Sequence, residues 1–537
     1  MKRFIRAVFA AIILLSANQA YAGKAVLDLV LVLDGMRPDL IDPQETPNLW
    51  RLRQEGVNFL NSHSVFPIVT RVNSTAIATG MYPEHNGIFG NTIYVRAVDA
   101  RHAFGNDDYK NLLRLDAATG GHMVLAKSLA QFLAEHGKTL AVVHSGTTGS
   151  ALLANPRGPQ GVGVLINGWW EPGVRVGFPD PVNDAILGRF AAAPPAGGPK
   201  DSFIDRVNWT ERVLRDYVLP DLKPDVVVNW LTEPDHTQHA RGPGSPQARA
   251  VIRNDDREIG LLLDRLRELG LAERTNILVV SDHGFHHSDV GVDVTAELIK
   301  AGLKAGPDSD DVVIASSGEA MLLHVRDHDA GRIGAVVRFL QHQSWVGVLF
   351  TAARPDMFEA FPGANVGGRE AGTFDLDLIH LAQSDRAPDI VMTFPWSSNL
   401  GAFGLPGTSY TQAATTGPLA GTAGNHGNMS PWTVRNTFFA WGVDFKRGVT
   451  LRTPAGNVDL APTLLALMNL DHDVDLAQFD GRPLREAFAD GPDEEQIPVE
   501  THTYTVATPD GAYRAALQLT DLGRFRYVDK SWRMSEG

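Results

Sequence analysis

AVLDLVLVLDG, residues 25–35, is a near-continuous apolar run rich in β-branched residues that ends on Asp34-Gly35. Such runs suit strands buried on both faces of a parallel sheet. The same grammar recurs along the chain. Thr139 to Val143, Asp225 to Leu231 and Asn276 to Val280 read as strands, and the last two run into Glu233-Pro234-Asp235 and Ser281-Asp282-His283-Gly284. Helical periodicity fills the intervals: Glu45 to Gly56, Met123 to His136, Phe203 to Val218 and Ala248 to Leu269. Alternation of strand, polar loop and helix predicts an α/β chain, a three-layer sandwich whose central, mostly parallel sheet is flanked by helices. Ligands bind such sheets at the carboxyl ends of strands, and three of those ends carry Asp34, Asp235 and Asp282.

Less regular stretches surround this frame. Arg101 to Thr119 reads as irregular and polar, and residues 150–200, with a Trp169-Trp170 pair, as a long Gly/Pro-rich ordered loop. Residues 290–420 read as an insertion or subdomain with strand pieces at Val312 to Ala315 and Ala320 to Val325. A strand at Thr437 to Trp441 and a helix at Asp459 to Met468 follow. Residues 491–537 form a β-rich tail, expected as a terminal hairpin turning at Asp521-Leu522-Gly523. The expected division is 1–22 as a signal peptide, 23–289 with 421–490 as the catalytic domain, 290–420 as the insertion, and 491–537 as the tail.

Composition narrows the chemistry. The 537 residues carry a formal charge of -14 and 44% hydrophobic content, with no basic run, which argues against binding a nucleic-acid polymer. Lys2, Arg3 and Arg6, an apolar run from Ala7 to Leu15, and Ala20-Tyr21-Ala22 make a signal-peptide pattern with cleavage after Ala22. The apolar run is too short for a stable membrane span. Export to the periplasm or medium is the expectation, and losing those three cations takes -14 to -17. Cysteine is absent, so thiolate nucleophiles, cysteine-type zinc sites and a cysteine precursor for formylglycine are excluded.

Chemistry concentrates in FPIVTRVNSTAIATGMYPEHNGIFGN, residues 66–91. Thr70 opens a helix-like run from Val72 to Ala78 that stops at Gly80. It is either an N-cap or a nucleophile whose hydroxyl needs activation. Asp34, Asp235, His239, Asp282, His283 and His426 supply oxygen and imidazole donors suited to catalytic zinc. Asp235 and His239 are four apart, so a helix would bring both onto one face.

These pieces resemble the alkaline phosphatase superfamily, and within it the type I phosphodiesterase/nucleotide pyrophosphatase family. The matching motifs are LDGMRPD at 33–39, TPNLWRL at 46–52, FPIVTRVNSTAIATGMYP at 66–83, GIFGN at 87–91, EPDHTQHARGP at 233–243, SDHG at 281–284, GNHG at 424–427 and DLAPTLLALM at 459–468. The resemblance implies an alkaline-phosphatase-like fold and two Zn2+ ions. One would sit on Asp235, His239 and His426, the other on Asp34, Asp282, His283 and Thr70. It also implies Thr70 as nucleophile and Asn91 as a phosphoryl-binding residue, with N–H groups near Thr70 and Arg71 steadying the charge. Arg71 is a further candidate substrate contact. The chain departs from the family pattern at Arg71-Val72-Asn73-Ser74, at His85-Asn86-Gly87-Ile88 and at Gly427-Asn428-Met429-Ser430. None of these removes a ligand; they concern the substrate pocket, above all a slot for a nucleotide base. The implied function is hydrolysis of a small phosphodiester or pyrophosphate through a phosphothreonine. Two alternatives stay open: a phosphomonoesterase or phosphonoacetate-hydrolase-like enzyme, and a non-catalytic metal-binding protein.

Overall fold

The computed structural model describes residues 25–169, 175–190, 202–352, 366–382, 384–412 and 423–534. The signal-peptide expectation and Trp170 lie outside them. A nine-stranded sheet forms the centre. From edge to edge its strands are Val449–Leu451, Val57–Phe59, Phe438–Gly442, Thr275–Val280, Leu27–Leu33, Val226–Leu231, Leu140–His144, Val164–Asn167 and Gly177–Phe178. The five from Thr275–Val280 to Val164–Asn167 are mutually parallel, whereas Phe438–Gly442 and Gly177–Phe178 run against their neighbours.

Leu27–Leu33 explains why this sheet is a middle layer. Val30 and Val32 enter the core on one face; Leu29, Leu31 and Leu33 enter the core on the other. Side chains alternate across a strand, so the apolar run from Leu29 to Leu33 demands cover on both sides. Each fully buried Leu or Val contributes roughly 1.5–3 kcal/mol. The long helix Pro246–Glu268 covers one face, starting on a Ser245 cap that accepts from the Ala248 N–H.

Several expectations need correction. The stretch 101–119 contains a helix, Tyr109–Ala118, started by the Asp108 side chain accepting from the Lys110 N–H. The expected 123–136 helix covers only Leu129–Glu135, because Ser128 and Gln131 close a capping box there. The 150–200 region is no long loop: it holds Thr148–Ala154, Val164–Asn167, Gly177–Phe178 and Asp180–Arg189. Among its described residues Gly161 and Gly168 follow element ends and Pro179 precedes Asp180–Arg189, where such residues punctuate structure. The tail has three strands, Glu500–Ala507, Arg514–Leu522 and Phe525–Arg533, rather than a hairpin.

Residues 290–420 build a five-stranded sheet, in the order Val312–Ser317, Ala320–Val325, Ile390–Thr393, Leu349–Thr351 and Phe374–Asp375. Its apolar core is shared with the tail through Tyr513, Leu517 and Leu519, and with the approach to Thr70 through Phe66 and Ile68. A second, smaller sheet joins Trp396–Leu400, Pro406–Gln412, an unanticipated strand His286–Val292, and Gly424–Asn425. Among the described residues no helix is long and apolar enough to cross a membrane.

His324, on the Ala320–Val325 strand, is held down to about 3 by burial, with a smaller push from His328. An unfolded histidine titrates near 6.5. Between those values the unfolded chain binds the extra proton, so this group makes stability rise with pH. His324→Gln should therefore flatten stability against pH across that window by up to about 1.4 kcal/mol per unit, read by urea unfolding from pH 4 to 6.

Candidate metal centre

The three aspartates lie at neighbouring strand ends because Thr275–Val280, Leu27–Leu33 and Val226–Leu231 are adjacent and in register, with Val32 beside Val280 and Leu33 beside Leu231. Asp34 ends the middle strand and Asp282 stands just beyond the next. Asp235 starts the helix Asp235–Arg241, which brings His239 onto the same side. Glu233 shapes that turn: its carboxyl accepts from the Phe203 N–H at 2.7 Å, and from the Thr237 N–H at 3.1 Å and hydroxyl at 3.0 Å. His426 comes from the loop after Gly424–Asn425.

Two close groups result: Asp235 with His239 and His426, and Asp34 with Asp235 and His283. In each, the ligand atoms lie within 4.8 Å of one another. Asp235 belongs to both. Its Oδ1 is 3.4 Å from His239 Nε2, 3.4 Å from His426 Nε2 and 3.9 Å from His283 Nε2. Asp282 Oδ2 reaches His283 Nε2 at 3.1 Å, and Asp34 Oδ1 lies 3.6 Å from it. All six sequence-derived ligands therefore meet in one place.

The hydrogen bonds decide which way these groups face. His239 Nδ1 is 3.1 Å from the Gly424 carbonyl, His283 Nδ1 3.0 Å from that of Gly284, and His426 Nδ1 2.7 Å from that of Ile68. A carbonyl only accepts, so each Nδ1 donates and each Nε2 is turned inward, where a neutral ring offers a lone pair to a cation. Asp34 Oδ1, Asp235 Oδ1 and Asp282 Oδ2 are buried and accept no hydrogen bond. Three imidazole Nε2 atoms and three carboxylate oxygens thus converge on one spot, which a shared proton or a cation must hold together. These residues fit metal ions, and a donor set of oxygen and imidazole without thiolate fits zinc.

Electrostatics agree. Burial first, then the Asp282 and Asp235 charges, raise Asp34 well above the ordinary carboxylate range. Burial also pushes Asp235 up, but His239 and His426 outweigh it and hold it well below. Burial lowers His426 to about 4, helped by His283 and opposed by Asp235.

Thr70 is not a cap. It is the first residue of the helix Thr70–Thr79, and the N-cap is Val69, which makes no side-chain cap. Thr70 is 8% exposed, and its hydroxyl lies 3.3 Å from His283 Nε2. Asn91 Oδ1 accepts from the Arg71 N–H at 3.1 Å. That N–H, expected to face a phosphoryl group, is instead engaged, and Asn91 keeps its Nδ2 for the cleft. The Arg71 guanidinium donates to the Thr147 hydroxyl at 3.1 Å.

The open cleft in front of these groups has a volume of about 440 Å³ and is lined by Arg71, Asn91, Asp107, Asp235, His239 and His426 among others. Its far wall comes from residues 290–420: Ser316, Gly318, Thr411 and Gln412. Ser317 Oγ accepts from the Asn91 N–H at 3.1 Å. Sequence reading missed Ser317, and also Trp230, whose indole N–H donates to Asp34 Oδ2 at 3.0 Å. Neither carries a local signal; both owe their place to contacts between distant segments.

The profile of the family described as "Type I phosphodiesterase / nucleotide pyrophosphatase" matches residues 29–401, a span that includes most of 290–420. The chain is 27% identical over 272 residues to venom phosphodiesterase 2 of Crotalus adamanteus, covering 50% of this chain and 28% of that protein. It is 24% identical over 262 residues to ectonucleotide pyrophosphatase/phosphodiesterase family member 1 of Mus musculus, covering 48% of this chain and 24% of that one. The matches thus span about a quarter of these relatives' own length. Among solved structures, an inactive variant of murine ectonucleotide pyrophosphatase / phosphodiesterase 5 in complex with AMP shares the fold. The TM-score is 0.53 at 18% identity, over 84% of this chain and 95% of that one.

Proposed function

Because the chain belongs to the type I phosphodiesterase / nucleotide pyrophosphatase family, we propose that it is an exported hydrolase of small phosphodiester or pyrophosphate substrates. It uses two Zn2+ ions and a phosphothreonine at Thr70. The observation that carries this reading is the inward convergence of three imidazole Nε2 atoms and three buried carboxylate oxygens beside one threonine hydroxyl. Asp235, His239 and His426 would hold one ion, and Asp34, Asp282, His283 and Thr70 the other. Such a pair, when bound, lowers the pKa of a hydroxyl or water and offsets charge on the phosphoryl oxygens.

The chain's own residues do the rest. The helix start fixes Thr70 Oγ1 so that it meets phosphorus in line with the leaving group. The new O–P bond forms as the bond to the leaving oxygen breaks, and water then cleaves the phosphothreonine ester. Asn91, held by the Arg71 N–H and by Ser317, presents its amide to a non-bridging oxygen. The relative seen with AMP supports a nucleotide-type substrate for this chain.

Arg71 reaches the substrate from the cleft wall. Arg71→Ala should raise KM about tenfold and leave kcat within about threefold, because the backbone N–H that holds Asn91 survives. Steady-state kinetics on a dinucleotide checks this.

Rates on bis-p-nitrophenyl phosphate, p-nitrophenyl phosphate, a dinucleotide and phosphonoacetate, with and without zinc, test the reading. Zinc-dependent preference for the diesters is expected. Preference for the monoester or phosphonate overturns the substrate class, and zinc binding without turnover overturns the enzyme. Export rests on the basic, apolar and small-residue start. Protein recovered from the periplasm or medium should begin at Gly23, and a full-length cytosolic chain contradicts this.

A further inference from the structure

Glu319 sits outside every motif that announced the site, yet it is wholly buried among polar partners. Its Oε2 contacts Nε2 of His286, and both residues are 0% exposed. Its Oε1 accepts from the Ser288 hydroxyl at 3.3 Å. The other nitrogen of His286, Nδ1, lies 3.3 Å from Ser430 Oγ. The Ser430 N–H donates to Asn428 Oδ1 at 3.0 Å, two residues beyond His426.

The backbone repeats the connection. The Glu319 N–H donates to the His426 carbonyl at 3.0 Å, and His286 pairs with Asn425 across an antiparallel register. Glycine is needed on both sides of this crossing. A Cβ on Gly318 would meet the His426 carbonyl oxygen, and one on Gly427 would meet the Glu319 nitrogen. Glu319 thus grips the 424–430 loop from both sides. Through His286 it also ties that loop to the strand that follows Asp282 and His283.

We propose that Glu319, on the turn between Val312–Ser317 and Ala320–Val325, is a positioning residue that sets how deeply His426 projects toward Asp235 and His283. This rests on the di-metal reading above. The inserted sheet then does more than wall the cleft: it fixes the separation of the two ligand groups. Loss of a carboxyl that supports a metal-binding imidazole costs about 10–100-fold in affinity or activity; Glu319 acts through His286, which is not itself among the six ligands, and its loss is expected to fall within that range.

The experiment uses the full chain, with zinc dissociation constants from chelator competition and kinetics on bis-p-nitrophenyl phosphate. Glu319→Gln keeps the shape and removes the acid. Zinc at one of two sites should bind about 10–100-fold more weakly, and kcat should fall with KM within about twofold. Excess zinc should restore part of kcat. Wild-type zinc affinity and kcat in Glu319→Gln overturn the proposal, even if its melting temperature drops. Should Glu319→Gln not fold, Ser430→Ala decides. It removes the hydroxyl's contacts with His286 Nδ1 and with Thr433 Oγ1, both at 3.3 Å, and should weaken one zinc site about fivefold, the worth of one hydrogen bond; an unchanged site overturns the proposal. Failure of the wild-type chain to bind zinc overturns the di-metal reading itself, a result distinct from a wild type that binds two ions and a variant that matches it.

Discussion

Thr70→Ala should lower turnover of a diester by about 10⁴–10⁶-fold while both zinc ions stay bound. Thr70 starts its helix with a hydroxyl that makes no cap, is 8% exposed, and points at His283 Nε2 from 3.3 Å. A hydroxyl spent on capping would be tied to its own helix; this one is directed across the cleft. Six other ligand residues remain in the variant, so metal content measured by atomic emission should barely change. Acid quenching of the wild-type chain with ³²P-labelled substrate should trap label on Thr70. If Thr70→Ala kept more than about a hundredth of wild-type turnover, water would have to attack phosphorus directly and the covalent step would be wrong.

Asp235→Asn should have an effect of similar scale by a different route. Asp235 Oδ1 stands within 3.9 Å of three imidazoles and is common to both ligand groups. His239 and His426 overcome the effect of burial and hold its carboxyl well below the usual range, so it carries full charge. Asparagine keeps the shape and removes the charge. Zinc should fall from two ions per chain to one, and turnover by at least about 10³-fold. Adding His239→Ala should complete the loss at that site. Two tightly held ions in Asp235→Asn would show that Asp235 is an ion-pair partner rather than a ligand.

Much of the architecture could be read from the chain because strands buried on both faces announce themselves. Leu27–Leu33 feeds two cores, apolar at every position but Asp28. The ligands were legible for the same reason: Asp34, Asp235 and Asp282 follow such runs, and His239 follows Asp235 by one helical turn. What escaped was the work of contacts between distant segments. Trp230 orients Asp34, Ser317 orients Asn91, and Glu319 grips the His426 loop. None has a neighbour in sequence that betrays it. The 150–200 stretch was misread because its Gly and Pro were weighed by abundance rather than by position. The cap reading of Thr70 gave way because Val69, extended at φ -140°, already occupies the cap.

The central claim is that two cations share one spot between Asp235, His283 and Thr70. Anomalous diffraction at the zinc edge from zinc-loaded crystals measures this directly. Two peaks are expected about 4 Å apart. One should be about 2.0–2.2 Å from Asp235, His239 and His426, the other equally close to Asp34, Asp282, His283 and Thr70 Oγ1. A single peak, or two that leave Thr70 beyond coordination distance, would contradict the account.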